Sequence, residues 1–172
     1  MASQIQIQGG LSRLSKSKVR SSTKELLELV AEHKLRTKLD LKKEITLVFL
    51  SEKKARELNQ AYRQKDYATD VLSFEGDEFS LGELIFCEKV ILRQAREHGL
   101  KPLEEWAYLL IHGVLHLLGY DHEHKKVEAR KMFKIQDEVF DRWMKSHEIL
   151  RSGRSHVHRR RNLRTQKTTR RS

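Results

Sequence analysis

Trp106-Ala107-Tyr108-Leu109-Leu110-Ile111-His112-Gly113-Val114-Leu115-His116-Leu117-Leu118-Gly119 is the stretch on which the fold of this chain turns. Pro102 stands just ahead of it, where a first helical turn tolerates a missing N–H. Glu104 and Glu105 complement the positive end of a helix dipole, and Gly119 is a helix stop. Between these marks the run is apolar nearly all round. A surface helix shows one apolar stripe, so this one is read as a central buried helix that needs cover on every side.

The flanking segments supply that cover. Downstream, Ala129, Met132, Phe133, Val139, Phe140 and Trp143 recur at helical spacing and predict a last amphipathic helix. Upstream, residues 88–98 read as a helix closed by Gly99. Glu44 to Leu50 is a β-favouring run, and Ser51 after it is a plausible N-cap for a helix carrying Ala55, Leu58 and Tyr62. Val71 to Phe74 and Leu81 to Phe86 flank a polar turn and predict a hairpin. The unit from Glu44 to Phe74 is long enough for a right-handed strand-helix-strand crossover, which makes the sheet mixed. A short strand is expected around Ile5 and Ile7. The capping-box pattern Ser22-Thr23-Lys24-Glu25 predicts the start of a first helix through Leu26, Leu27, Leu29, Val30 and Leu35. The fold class is therefore α+β, a mixed sheet of about four strands on which the central helix packs.

Composition narrows the function. The 172 residues suit one compact domain, and no stretch approaches the roughly 20 apolar residues that span a bilayer. The first residues, Met1 to Ile5, lack the charged and apolar regions of a secretory signal, and the single cysteine, Cys87, cannot close an internal disulfide. Both agree with a reducing, cytoplasmic setting. The net charge of +11 is unevenly placed, because residues 151–172 hold nine Lys or Arg and no acid, leaving +2 for the rest. With only Val157 and Leu163 as apolar residues, the segment 151–172 cannot bury enough surface to order itself. The expected division is a domain over 1–148 and a basic tail over 149–172.

The chemistry concentrates at the end of the central helix. His112 and His116 are four apart and share one helical face, within reach of one ion. Gly119 lets the chain turn back so that His122 can approach the same point. Three neutral imidazoles with an open fourth position are a common catalytic zinc arrangement, so one zinc per chain is expected. Histidines set among Leu109, Leu110, Ile111, Val114 and Leu115 are costly to bury without a partner. His33, His98, His147, His156 and His158 lack such company, and His124, next to the site but two residues past His122, is read as a bystander. The spacing also fits the protease pattern H-E-x-x-H-x-x-G-x-x-H, save that Gly113 stands where the protease carries its general-base Glu. The metal cage is kept and the peptide-cleaving base is absent.

His112-Gly-x-Leu-His116-x-x-Gly-Tyr-Asp-His122 resembles the signature of the YbeY family of zinc-dependent endoribonucleases. The likeness continues in Leu58-Asn59-x-x-Tyr62-Arg63-x-x-Asp66-x-x-Thr69-Asp70-Val71-Leu72-Ser73-Phe74 and in Leu81-Gly82-Glu83-Leu84-Ile85, where the family often has Leu-Gly-Asp-Ile. It covers most of residues 44–146 and leaves out the tail. The resemblance implies that His112, His116 and His122 are zinc ligands and that Arg63 matches the family's functionally important arginine. It also implies action on ribosomal RNA precursors, notably the 3′ end of the small-subunit RNA, with the ribosome or its small subunit as partner.

A guanidinium at Arg63 can hold a phosphate through two parallel hydrogen bonds, while zinc lowers the pKa of its water toward about 7. Single-stranded RNA is the expected substrate, since a duplex cannot enter a groove. No side chain is an unambiguous general base. Thr69, Asp70 and Ser73 either shape this site or form turns, and Asp121 either orients an imidazole or makes the turn. Cys87 reads as a buried, inert thiol. Tyr120 and Trp106 are open to base stacking or to plain packing. Two other readings stand: a protease-type zinc hydrolase with a base from Glu105 or Glu123, and a non-catalytic RNA-binding assembly factor in which Cys87 closes the zinc site.

Overall fold

The computed structural model describes residues 4–33, 35, 38–121 and 126–147. Along them run β1 (Ile5–Gly9), α1 (Lys16–Ala31), β2 (Glu44–Phe49), α2 (Glu52–Arg63), β3 (Val71–Glu75), β4 (Ser80–Phe86), α3 (Glu88–His98), α4 (Pro102–Leu117) and α5 (Lys126–Ser146). The four strands form one mixed sheet in the order β1-β2-β4-β3, parallel across β1, β2 and β4 and antiparallel between β4 and β3. The α+β class with a four-stranded mixed sheet is thus observed. The expected tail over 149–172 lies outside the described residues.

Two local expectations are corrected. The segment from Glu44 to Phe74 does not close a parallel pair, because β3 takes the sheet edge and β4 lies between it and β2. Burial explains the exchange: Leu84 and Phe86 of β4 are fully enclosed, whereas β3 ends on the exposed Glu75. The second concerns α1, which begins at Lys16 with Ser15 as N-cap. Val19 is fully buried, so the apolar face starts a turn before Ser22. Thr23 then lies inside the helix and donates its hydroxyl to the Val19 carbonyl at 2.7 Å.

Gly82 sits where the register between β2 and β4 shifts, with φ of +137°. A Cβ there would stand 2.3 Å from the Phe74 carbonyl oxygen, so the bulge admits only glycine. Helix α4 begins as expected, with Pro102 in its first turn and the Glu104 carboxylate accepting the Lys101 N–H at 2.9 Å. It ends at Leu117, and the chain turns away at Gly119, whose φ is +80°. Trp106, Leu110, Ile111 and Leu115 are all fully enclosed by the sheet and the helices around α4. Each such side chain contributes about 1.5–3 kcal/mol by leaving water, which makes α4 the axis of the core. Trp106 packs against Phe86 inside that core and cannot stack on a base.

Candidate active site

Helix α4 carries His112 and His116 to its C-terminal end. Their rings lie 4.7 Å apart between centroids, and the two Nε2 atoms are 3.1 Å from each other. Two zinc-bound imidazole nitrogens at tetrahedral angles, with bonds of about 2.0–2.1 Å, would stand about 3.3 Å apart, so this pair has the spacing an ion needs. The donor chemistry agrees. Gln136 of α5 is fully buried; its Nε2 donates to the Tyr108 carbonyl at 3.1 Å, and its Oε1 stands 3.1 Å from His112 Nδ1. With the amide nitrogen committed to Tyr108, Oε1 is the acceptor and His112 Nδ1 carries the hydrogen. Nε2 of His112 is then left with the lone pair a metal requires. Phe133 stacks on the His112 ring at 6.3 Å, and the Tyr108 hydroxyl donates to Asp137 at 2.9 Å, which fixes α5 against α4.

Gln136 was not picked out from the sequence. The signal was there, because it falls on the apolar face of α5 between Met132 and Phe140, where a polar side chain needs a partner. Among the described residues no group of three His, Cys, Asp or Glu could hold a metal. His122, the third expected ligand, lies outside the described residues, as do Glu123 and His124.

Gly113 has a packing reason. A Cβ there would stand 2.7 Å from Cδ2 of the fully buried Leu84, so α4 rests closely on β4 and a side chain here would require Leu84 to shift. The position where the protease pattern carries its glutamate is thus a packing contact in this fold. Glu105, the substitute considered from sequence, is enclosed near the other end of α4, where Oε2 meets His98 Nδ1 at 2.8 Å. Cys87 packs with Ala55 and Val90, away from the imidazole pair.

Arg63 is the last residue of α2. Ser51 starts that helix by accepting the Lys54 N–H, and Gln64 ends it in the left-handed conformation with φ of 57°. The loop that follows is tied down by motif residues. Asn59, fully buried, donates to the Tyr67 carbonyl at 2.8 Å, and Arg56 grips Asp66 through two bonds of 2.7 Å. That guanidinium also holds the Asp66 carboxyl below its ordinary pKa. Asp70 accepts from Val71 N–H and from Gln94, with the Thr69 hydroxyl at 3.2 Å. Thr69 and Asp70 are therefore engaged in forming the turn.

A cleft of about 260 Å³ opens beside the imidazole pair, lined by Arg63, Ser73, Glu75, His116, Leu117, Gly119, Tyr120 and Asp121. It brings Arg63 of α2 to His116 of α4 across the edge strand β3. Arg63 and Glu75 have no hydrogen bond or ion pair among the described residues, and both are exposed. Glu75 follows Phe74, where the sequence predicts a polar turn; it is instead the last residue of β3 and lines the cleft. Tyr120 is almost wholly enclosed at 3% exposure, too little for a stacking surface.

The family model described as Endoribonuclease YbeY matches residues 4–144. This chain belongs to the Endoribonuclease YbeY family. Similar members include that of Bdellovibrio bacteriovorus, 55% identical over 101 residues, which cover 58% of this chain and 67% of that protein. Another, from Sulfurihydrogenibium sp., is 42% identical over 127 residues, 70% of this chain and 83% of its own length. Both are named Endoribonuclease YbeY. The solution structure of a Thermotoga maritima protein superposes with a TM-score of 0.60 at 28% identity, covering 84% of this chain and 92% of the other. Family membership supports a nuclease, a hydrolase acting on RNA. Among the described residues no helix is long and apolar enough to cross a membrane.

Proposed function

We propose that this chain is a zinc-dependent, single-strand-specific endoribonuclease that acts in ribosomal RNA maturation at the 3′ end of the small-subunit RNA and in ribosome quality control, on the ribosome or its small subunit, in the cytoplasm. The observation that carries the site assignment is the cleft, which an unengaged guanidinium and an imidazole of the facing pair both line. His112, His116 and His122 would hold the ion, with Gln136 keeping His112 in the tautomer that offers Nε2. The ion supplies Lewis acidity and a water acidic enough to attack near neutral pH. Arg63 holds the scissile phosphate through its two parallel N–H groups and meets the charge that builds there as the phosphodiester breaks. The division into a domain over 1–148 and a basic tail over 149–172 belongs to the same proposal: nine cations would add phosphate attraction that is independent of sequence.

Gly113, packed on Leu84 and carrying no base, counts against peptide hydrolysis. The packing of Cys87 with Ala55 and Val90 counts against a closed, purely structural zinc site with that thiol as fourth ligand. The test is purification with metal analysis, then incubation with ribosomal RNA precursor and with an unstructured peptide. Expected are one zinc per chain, chelator-sensitive RNA cleavage and no peptide cleavage. Arg63→Ala should lose about 100-fold or more of the cleavage rate while keeping its zinc and its thermal unfolding. Peptide cleavage without RNA cleavage, or normal cleavage by Arg63→Ala, would overturn the assignment.

A further inference from the structure

Four large hydrophobic side chains are exposed among the described residues: Tyr62, Tyr67, Phe79 and Val127. Tyr62 and Tyr67 flank Arg63, and Tyr62 is the immediate chain neighbour of the cleft arginine. It is 68% exposed, yet its ring is not loose. It meets Phe74 edge to face at 4.9 Å between centroids, and it stands in the last turn of α2, which Asn59 and the left-handed Gln64 hold in place. Phe74 lies between Ser73 and Glu75, the two β3 residues that line the cleft. Side chains alternate along a strand, so Phe74 points to the opposite face from its neighbours. Tyr62 is therefore held by Phe74 across the edge strand from the cleft, with most of its surface open to solvent.

From this placement, and resting on the RNA-cleaving reading above, we infer that Tyr62 is a stacking platform for a base of single-stranded RNA flanking the phosphate that Arg63 holds. A strand running over the β3 edge would pass from guanidinium to ring within two consecutive residues of α2. Every base has a π-face, so the contact adds affinity without choosing a sequence, as an enzyme cutting a single strand at a position set by other contacts requires. Rigidity matters here: a ring already held by Phe74 loses little freedom when a base covers it. The phenol hydroxyl has no part in this role.

The experiment compares wild type with Tyr62→Phe, Tyr62→Trp and Tyr62→Leu, all zinc-loaded, on a short single-stranded RNA carrying 2-aminopurine. Stopped-flow fluorescence before cleavage accumulates reads stacking as quenching, and steady-state kinetics read KM and kcat. Tyr62→Leu should abolish the quenching and raise KM about tenfold, with kcat and zinc content unchanged and the thermal midpoint lowered by no more than a few degrees through loss of the Phe74 contact. Phe and Trp should retain both signals. Equal quenching in the Leu variant overturns the inference, as does a loss in Tyr62→Phe as large as in Tyr62→Leu, which would assign the effect to the hydroxyl. If wild type quenches the probe but cuts no RNA, the nuclease reading fails while the stacking site stands.

Discussion

At the N-terminal end of α4, Glu105 meets His98 Nδ1 at 2.8 Å with both side chains nearly withdrawn from water; at the C-terminal end, His112 and His116 face each other at 3.1 Å beside an open cleft. The helix rises about 1.5 Å per residue, so the two sites are separated by roughly 16 Å between Glu105 and His116. Both hold a histidine by a hydrogen bond from inside the fold. What differs is the direction in which the imidazole is left to act. The carboxylate takes the Nδ1 hydrogen of His98 in an enclosed contact that joins α3 to α4. Gln136 takes the Nδ1 hydrogen of His112, and the other nitrogen is aimed at a second imidazole. An interior acceptor is thus common to both sites, and what sets the C-terminal one apart is a second imidazole facing the first, the arrangement that the proposed ion would use.

The largest expected difference between the ends is in activity. His116→Ala should drop RNA cleavage to background and bring zinc content from one per chain toward none. His98→Ala should retain zinc and its cleavage rate per folded molecule. Elemental analysis and a cleavage assay on both variants measure this, and equal losses at the two ends would erase the distinction drawn here.

Gln136 tests the same point at lower cost to the site. In Gln136→Ala the His112 ring keeps its Phe133 neighbour but loses the acceptor that fixes its tautomer. Zinc affinity should weaken by about 10- to 100-fold, measured by competition with a chromophoric chelator, and saturating zinc should restore most of the cleavage. Unchanged affinity would mean that the tautomer is set elsewhere.

These three residues also mark how far the sequence could be read. The i, i+4 histidines and the apolar helix that bears them were legible because period and spacing are local properties. So were Ser51, Gly99 and Pro102, since a cap or a stop depends on its own few neighbours. Gln136 was not, although it sits among apolar residues of α5, because its partners are Tyr108 and His112 on another helix. Nor could the place of β3 be read: hairpin and crossover signals were both present, and which strand took the interior was decided by the burial of Leu84 and Phe86. Arg63 was legible as a motif residue, but its meeting with His116 needed the loop held by Asn59, Arg56 and Asp66. The false start of α1 at Ser22 shows a local signal overruled, because burying Val19 favours about two more turns than the capping pattern proposes.

The smallest expected effect belongs to Glu105. Replacing its carboxylate with an amide keeps the shape and leaves an oxygen to accept from His98, so no cavity forms. What is lost is the difference between a hydrogen bond to a charged acceptor and one to a neutral acceptor, about 1–2 kcal/mol in an enclosed place. For a chain of this size that lowers the thermal midpoint by about 5 °C. Nothing at the other end of α4 depends on this charge: the His112 tautomer is set by Gln136, and the imidazole pair by the helix that carries it. Glu105→Gln should therefore unfold earlier in a thermal scan while its zinc content and its KM and kcat on RNA, measured well below that midpoint, match wild type. A lower zinc content in the folded variant would show that the two ends of α4 are coupled, and the His98 contact would then belong to the site and not to its scaffold.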